Sequence, residues 1–413
     1  MIGENAPGSP GPPVLSIIDG SPAQRAQLQA GDVIVAIGAA RIADRTDVLN
    51  AVRLSPAGTP IAISIVRKGA SLSLPVVLQT APDEDDPLVA TAYGAVRVDG
   101  SLRRTLTTYP RTAGTARRPA VLIVGGIGCY SVDNARDLQD PYLRIAHDLG
   151  RRGIVAMRLE KSGVGDSQGP ACPTVDFWGE ERSYETALRA LRDDRHVDAH
   201  RVYLFGHSIG SAITPRLAAK EPVAGIIVAE GVGINWFEYE LSNLRRQLEL
   251  AGEQPAKIDA DLSDKEICMH RLLVEKEDEA AIEKDKPDCK THNAYPAPAT
   301  YLQEVAQLNL GDTWSKVSAP VLVLYGTADF VTARSDHERI AQIVNASHAG
   351  AATFVPIEGM DHYLSPVGTL QQDYDLRVQK RGSAPYDGRF SSAILSWLCG
   401  RERCFADSVV QAR

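Results

Sequence analysis

The chain has 413 residues, of which 44% are hydrophobic and 23% are charged, and its formal net charge is -8. This composition excludes a wholly disordered chain. It also argues against nucleic acid as a partner, because phosphate binding needs clustered Lys and Arg. No apolar run reaches the length that crosses a bilayer, so no membrane span is expected. The length exceeds that of one ordinary hydrophobic core and predicts two domains.

A small α+β domain is predicted over residues 1–80. Its apolar runs and turn residues predict, in chain order, a strand over 12–18, a short helix from Pro22, a strand over 33–37, a helix over 46–54 and two alternating strands that end before Gln79. The short helix has Ser21 as a plausible N-cap and Pro22 in its first turn.

The segment from Gly20 to Gly38 resembles the PDZ domains attached to bacterial envelope proteases. The resemblance implies that the domain binds peptide C-termini by adding them to a sheet edge. The loop that holds the peptide carboxylate would lie at or before Met1 to Gly3, so little of it is expected here. A docked accessory domain that binds no peptide is the alternative.

Residues 81–89 are acidic, contain two prolines and are predicted to be a linker. From residue 90 to 413, apolar β-rich runs alternate with helical patterns, which predicts a mainly parallel sheet covered by helices. The first two strands are expected to form an antiparallel pair. Between about 234 and 317 the alternation stops, which predicts a helical cap inserted over the carboxyl edge of the sheet. A surface excursion unrelated to a site is the alternative.

The strongest local signal is the pentapeptide Gly206-His207-Ser208-Ile209-Gly210. It matches Gly-x-Ser-x-Gly, follows an apolar strand and precedes a helix-compatible run, which is the context that this motif requires. A nucleophile on a strained turn needs small neighbours, and the two glycines provide that space. The turn predicts an exposed Ser208 hydroxyl, with the Ile209 N–H at the start of a helix, where it can bind an oxyanion.

With this motif, the second domain resembles the α/β-hydrolase superfamily from about Thr91 to Trp397. The turn from Arg158 to Ser167 is similar to the strand-end turn of that family. Taken together, the second domain is most similar to bacterial carboxylesterases related to prolyl oligopeptidase-type hydrolases. Glu160 and Ser162 stand where Asp and Arg are usual, and Gly125 stands where many relatives have His. These departures affect the turns that shape the pocket, so subfamily and substrate stay open.

The order of the triad in this fold is Ser, acid, His, and both partners follow Ser208 in that order. Asp329 and His362 each lie just beyond an apolar strand. His362 is predicted to be the base and Asp329 the residue that orients it. Asp361 is a rival acid and His207 a rival base, which we instead expect to have a packing or hydrogen-bonding role.

The resemblance implies a second oxyanion donor in the turn after the third strand, residues 125–130. We choose the N–H of Ile127, with Gly126 as the fallback. The predicted wall of an acyl pocket consists of Gly126 and the cap aromatic residues Trp236, Phe237 and Tyr239. Core packing of the cap is the alternative for the aromatic residues. The thiol of Cys129 is a competing nucleophile for which no base is evident.

The predicted reaction is hydrolysis of a carboxylic ester or thioester through an acyl-enzyme on Ser208. The alternatives are a peptidase or amidase that receives peptide ends from the PDZ-like unit, a catalytically inert scaffold, and a biosynthetic acyl transfer or cyclisation by the same triad. No metal or organic cofactor is expected. The expected partners are a small acyl substrate and a peptide C-terminus at the PDZ-like unit.

The cellular location stays open between the bacterial envelope and the cytoplasm. PDZ-like units of this type favour the envelope or periplasm, whereas no signal peptide is evident at the start of the sequence. Of the six cysteines, Cys268 with Cys289 and Cys399 with Cys404 are candidate disulfide pairs. Six reduced thiols are the alternative.

Overall fold

The computed structural model describes residues 2, 3, 5, 8–111, 116–379 and 384–406. The chain divides into two compact units, Met1–Asp83 and Glu84–Arg413. None of the helices in the described ranges is both long enough and apolar enough to span a bilayer.

The described part of the first unit contains an antiparallel sheet of four strands and two helices. In chain order its elements are α1 (Pro22–Arg25), β1 (Val33–Ile37), β2 (Ala40–Arg41), α2 (Arg45–Leu54), β3 (Pro60–Arg67) and β4 (Ala70–Val77). The strand order is β2-β1-β3-β4. Alternate residues of β3, such as Ile63 and Ile65, face a core shared with Val76 of β4.

The strand predicted over 12–18 is reduced to isolated bridges, from Pro13 to Val33 and from Val14 to Ile2. Pro12 and Pro13 have no N–H to donate to a ladder, which limits the pairing. Of the stretch expected to hold a peptide carboxylate, Met1 lies outside the described residues. The Gly3 N–H donates to the Pro13 carbonyl oxygen over 2.8 Å.

The described part of the second unit is built on a sheet of eight strands. They are β5 (Val89–Val98), β6 (Ser101–Pro110), β7 (Arg118–Val124), β8 (Val155–Leu159), β9 (Val197–His207), β10 (Gly225–Ala229), β11 (Val321–Gly326) and β12 (Ala352–Ile357). The strand order is β12-β11-β10-β9-β7-β8-β6-β5. Strands β5 and β6 pair antiparallel, β6 also pairs antiparallel with β8, and the remaining neighbours are parallel.

Helices cover both faces of this sheet. The α-helices in the described part of this unit are α3 (Pro141–Arg151), α4 (Phe177–Asp193), α5 (Gly210–Lys220), α6 (Trp236–Leu250), α7 (Pro255–Met269), α8 (Glu279–Asp285), α9 (Cys289–His292), α10 (Ala299–Ala306), α11 (Leu310–Ser315), α12 (Arg334–Ser347), α13 (Leu370–Val378) and α14 (Arg389–Cys399). Along β7, Ala120 and Leu122 point into one apolar core, and Val121 and Ile123 into the other. Burial on both faces explains why these strands are continuously hydrophobic.

Helices α6 to α11 interrupt the alternation of strands and helices between β10 and β11. A disulfide joins Cys268 at the end of α7 to Cys289 at the start of α9. We call this segment the cap.

A buried ion cluster fixes the start of the second unit to the sheet. Nη2 of Arg158 lies 2.7 Å from both carboxylate oxygens of Glu84, and Nε2 of His147 lies 3.0 Å from Oε2 of the same carboxylate. Burial opposes the charge of Glu84, but the hydrogen bond to His147 and the positive charge of Arg158 lower its pKa to about 2. Glu84 therefore acts as the counter-ion of a fully buried arginine, although it belongs to the acidic segment predicted as a linker.

Candidate active site

Ser208 occupies a strained turn between β9 and α5. Its φ is +55°, which is uncommon for a residue with a Cβ atom. A Cβ atom on Gly206 would lie 2.6 Å from the Gly210 carbonyl oxygen, and one on Gly210 would lie 2.5 Å from the Val124 carbonyl oxygen. Only glycine fits these two positions, so the spacing of the motif is a steric requirement of the turn.

Three side chains that are distant in sequence meet at the carboxyl edge of the sheet. The Ser208 Oγ lies 3.1 Å from Nε2 of His362, and Nδ1 of His362 lies 2.9 Å from Oδ2 of Asp329. Asp329 is fully buried, whereas Ser208 is only partly buried. The structure therefore brings together the three residues predicted as the triad, with the serine at the accessible end.

The carboxylate of Asp329 is held by its own loop. Oδ1 accepts the N–H groups of Val331, at 2.6 Å, and Thr332, at 3.1 Å, and the Thr332 hydroxyl donates to Oδ2. Burial alone would raise the pKa of Asp329, but the imidazole of His362 and these hydrogen bonds hold the pKa well below its usual range. The side chain is thus fixed as an anion that can stabilise a positively charged imidazole.

Glu230, which directly follows β10, lies behind the Asp329 carboxylate and was not predicted from the sequence. Its φ is +51°, and its Oε1 accepts the N–H of Gly326 over 2.6 Å. Burial, followed by the charge of Asp329 and a hydrogen bond with it, raises the pKa of Glu230 well above its usual range. The raised pKa favours the neutral form of Glu230, which carries a hydroxyl hydrogen that a carboxylate does not have. The available signal in the sequence was the position of Glu230, an acidic residue that immediately follows an apolar strand.

This protonation state can be tested by substitution. We expect Glu230→Gln to keep kcat within about threefold, because an amide reproduces both the acceptor and the donor of a neutral acid. Glu230→Ala should lower kcat by about tenfold or more, because it leaves the Gly326 N–H and one side of Asp329 without a partner. Steady-state kinetics of both variants are the measurement. Equal losses in the two variants would mean that Glu230 acts as an anion.

The rival base and the rival acid both have other partners. In His207, Nε2 donates to the carbonyl oxygen of His362 over 2.8 Å, and Nδ1 accepts the Tyr142 hydroxyl at 2.7 Å. Burial lowers the pKa of His207 to about 3, so this ring is neutral. Asp361 accepts the N–H groups of Tyr363 and Ser365 and pairs with Arg377. Neither residue is placed to activate Ser208.

The candidate oxyanion donors lie on either side of Ser208. A Cβ atom on Gly126 would lie 3.2 Å from the Ser208 Cβ, so the turn after β7 packs directly against the nucleophile. The Gly126 N–H donates to the Tyr142 hydroxyl over 3.1 Å and is thus occupied. Within the described ranges, the N–H groups of Ile127 and Ile209 have no hydrogen-bond partner. This arrangement favours the N–H of Ile127 over that of Gly126 as the second oxyanion donor.

A cavity of about 770 Å³ opens onto Ser208 and His362. Cap residues Tyr239, Tyr295 and Pro296 form part of its wall, together with Gly126 and Ile127. Of the predicted pocket residues, Gly126 and Tyr239 line this cavity. Trp236 instead packs inside the cap against Tyr239 and Tyr295, and Phe237 packs against the core. The prediction of Trp236 and Phe237 as cavity residues is therefore wrong, because these two side chains pack within the protein instead.

The six cysteines are all in described residues and form three disulfides, Cys129–Cys172, Cys268–Cys289 and Cys399–Cys404. The two pairs proposed from the sequence are thus bonded in the structure. Cys129, the competing nucleophile, is bonded to Cys172, across 43 residues. No cluster of metal-ligating side chains occurs in the part of the chain that the structure describes.

Glu160 lies beneath the turn that follows β7. Its Oε2 accepts the Val132 N–H over 3.1 Å and the Ser131 hydroxyl over 3.2 Å. Burial raises the pKa of Glu160 from 4.5 to about 7. A carboxyl that binds its proton more tightly in the folded protein stabilises the fold at low pH, and that contribution is lost as the pH rises through the folded-state pKa.

We therefore expect Glu160→Gln to raise the melting temperature relative to the native protein at pH 8 but not at pH 5. The amide cannot ionise, so it avoids a cost on the order of 3 kcal/mol that the buried carboxylate incurs at the higher pH. Thermal unfolding followed by circular dichroism at the two pH values measures this difference. An identical shift at both pH values would contradict it.

Comparisons with known proteins identify both units. A family model described as serine aminopeptidase, S33 matches residues 115–365, and one described as PDZ domain matches residues 4–78. Esterase EstD of Thermotoga maritima is 25% identical over 236 residues, which cover 56% of this chain and 51% of that protein. A probable periplasmic serine endoprotease, DegP-like, of Chlamydia trachomatis is 36% identical over 72 residues, 17% of this chain and 14% of that protein.

The chain therefore spans about half the length of the first of these relatives and a small part of the second. Among solved structures, Est1E from Butyrivibrio proteoclasticus with bound ferulic acid aligns with a TM-score of 0.48 and 14% identity. The alignment covers 75% of this chain and 98% of that one.

Proposed function

We propose that this chain, which belongs to the serine aminopeptidase S33 family of α/β hydrolases, hydrolyses carboxylic esters or thioesters through an acyl-enzyme on Ser208. The observation that carries the proposal is the unbroken hydrogen-bond chain from Ser208 through His362 to Asp329. The Ser208 end of this hydrogen-bond chain opens into a cavity that is large enough for a small-molecule substrate.

In the first step of the proposed reaction, the Ser208 Oγ attacks the carbonyl carbon of the substrate. Nε2 of His362 takes the hydroxyl proton, while Asp329 holds Nδ1–H and stabilises the imidazolium. The negative charge on the former carbonyl oxygen is bound by the N–H groups of Ile127 and Ile209. The tetrahedral intermediate then expels the alcohol or thiol, which takes the proton from His362.

In the second step, water replaces the leaving group. His362 takes a proton from this water, whose oxygen attacks the acyl carbon and forms a second oxyanion in the same position. When this intermediate collapses, His362 returns the proton to Ser208 and the free acid leaves. The two N–H donors thus serve both halves of the reaction, and no cofactor is needed in this scheme.

The cavity wall supports an ester of a modest apolar acid. Tyr130, Tyr239 and Tyr295 contribute rings, and Ile127, Leu364 and Pro296 contribute aliphatic surface. These surfaces can bind an acyl chain by burial, and the polar side chains of Asn134, Gln139 and Asp140 also line the cavity. The relative named Esterase EstD supports the same class of substrate.

A peptidase or amidase is the second candidate, which the description of the matching family favours. The PDZ domain match and the DegP-like relative support peptide C-termini as a partner of the first unit. In this alternative the first unit would bind peptide ends while the triad cleaves an amide.

A screen of substrate classes separates the two candidates. The native protein should hydrolyse p-nitrophenyl acyl esters and acyl thioesters, and it should act on aminoacyl and peptidyl p-nitroanilides far more slowly. Ser208→Ala supplies the background rate for each compound. Faster amide cleavage would favour the second candidate, and the absence of any turnover above the background would refute both.

The three disulfides support an oxidising compartment such as the bacterial envelope, because such bonds are rare in reducing cytosol. We expect thiol titration under denaturing conditions without reductant to find no free thiols. Detection of six free thiols in protein isolated from its native compartment would contradict this assignment.

A further inference from the structure

The peptide group between Gly126 and Ile127 is held from the side opposite its N–H. The carbonyl oxygen of Gly126 accepts Nζ of Lys161 at 2.6 Å and the hydroxyl of Tyr130 at 2.8 Å. In a trans peptide the C=O and the following N–H point in opposite directions. Two donors on the Gly126 oxygen therefore fix the direction of the Ile127 N–H, which points away from Lys161.

The two N–H groups that precede Ile127 in this turn are already occupied. The Gly125 N–H donates to the hydroxyl of Tyr184 and the Gly126 N–H to the hydroxyl of Tyr142, each over 3.1 Å. In the described part of the chain, the Ile127 N–H has no such partner. Of the first three amides of the turn, those of Gly125, Gly126 and Ile127, only the amide of Ile127 is therefore left for a ligand.

Burying the charged side chain of Lys161 at this position costs desolvation free energy. Its side chain is buried, its Nζ lies 2.8 Å from Oε1 of Glu180, and the ammonium lies over the ring of Tyr130. A buried ammonium is usually fully paired, and this one uses one of its three donors on a backbone carbonyl. The positively charged ammonium next to that oxygen polarises the peptide group and makes its N–H a stronger hydrogen-bond donor. This effect is largest in a site that is shielded from water.

We propose that Lys161 is a positioning residue for the oxyanion hole, which acts through the Gly126–Ile127 peptide group. It orients and polarises the amide of Ile127, so that this amide binds the oxygen that becomes negative in the transition state. The inference rests on the proposed function, because it assigns Ile127 to the same acyl-transfer step.

The test is Lys161→Met, which keeps an unbranched apolar side chain and removes the charge. Because the oxyanion exists only in the transition state, kcat for a p-nitrophenyl acyl ester should fall about 10- to 100-fold, while KM changes less than about threefold. The inhibition constant of an aryl trifluoromethyl ketone, which forms an oxyanion adduct with the serine, should rise in proportion to the loss in kcat/KM. Lys161→Arg, which keeps the charge, should recover part of kcat.

Lys265→Met is a matched control. Lys265 in the cap is as buried as Lys161, lies 2.8 Å from Glu240 and donates to the backbone carbonyl of His292. Both methionine variants should lower the melting temperature, but only Lys161→Met should lower kcat. A folded Lys161→Met with native kcat, or equal losses of kcat in both variants, would overturn the proposal.

If Lys161→Met does not fold, Tyr130→Phe removes the other donor to the same carbonyl oxygen. Its kcat should fall about three- to tenfold, in line with the loss of one neutral hydrogen bond, and an unchanged kcat would overturn the proposal. Labelling of the native protein by a fluorophosphonate at Ser208 distinguishes failure of the proposed function from failure of the role of Lys161. Unlabelled native protein means that the proposed function fails. Labelled, active native protein with an unaffected Lys161→Met means that only the role of Lys161 fails.

Discussion

Ser208→Ala is expected to lower kcat for ester hydrolysis by about 10⁵-fold or more, with the protein still folded. The substitution removes the atom that attacks the carbonyl carbon and leaves the strained backbone of the turn in place, because alanine retains the Cβ atom. His362→Ala should cause a loss of similar size, since the hydroxyl then has no proton acceptor. Steady-state kinetics on one p-nitrophenyl ester measure both.

The triad is expected to act as a unit, so the double variant Ser208→Ala/His362→Ala should be no slower than either single variant. Ser347→Ala, an exposed serine at the end of α12, is the matched control and should retain native activity. Additive losses in the double variant, or a Ser208→Ala protein with more than about a tenth of native kcat, would contradict a shared mechanism.

Glu84→Ala is expected to destabilise the second unit by about 3–5 kcal/mol, because it leaves the fully buried guanidinium of Arg158 without its counter-ion. The hydrogen bond from Arg158 to the Val132 carbonyl oxygen does not compensate for the missing charge. Chemical denaturation followed by the fluorescence of the Trp residues measures the loss.

The folded-state pKa of Glu84, about 2, also predicts that its stabilising effect is present at neutral pH and is lost as the pH falls towards that value.

Asp85→Ala provides the comparison, because Asp85 has the same charge at the next position but is exposed. It should change the free energy of unfolding by less than about 0.5 kcal/mol. If Glu84→Ala were as mild as Asp85→Ala, the ion cluster would not be holding the start of this unit against the sheet.

The parts that could be predicted from the sequence are those that local sterics determine. The turn around Ser208 could be read from two glycines and a preceding strand, because each glycine fits against a backbone carbonyl. The fold class, an α/β-hydrolase domain preceded by a PDZ domain, is confirmed by the family matches. That prediction rested on the alternation of apolar strands and helices, because such an alternation can be recognised from short segments of sequence.

The parts that escaped prediction depend on which segments meet in space. Glu230 and Glu160 look like ordinary carboxylates in the sequence; burial by distant elements raises both pKa values, and the nearby charge of Asp329 raises that of Glu230 further. Glu84 belongs to an acidic run whose composition is typical of a linker, yet its partner lies 74 residues further along the chain. Lys161 reaches a carbonyl oxygen in another turn, a contact that no local pattern encodes.

Activation of the Ser208 nucleophile by His362 is tested most directly by covalent labelling. The native protein is treated with a fluorophosphonate, and the adduct is located by intact mass and peptide mapping. We expect a single adduct per chain, on the peptide that contains Ser208, and none in Ser208→Ala or in protein whose His362 is replaced by Ala. A native protein that cleaves esters but is modified elsewhere, or not at all, would contradict it.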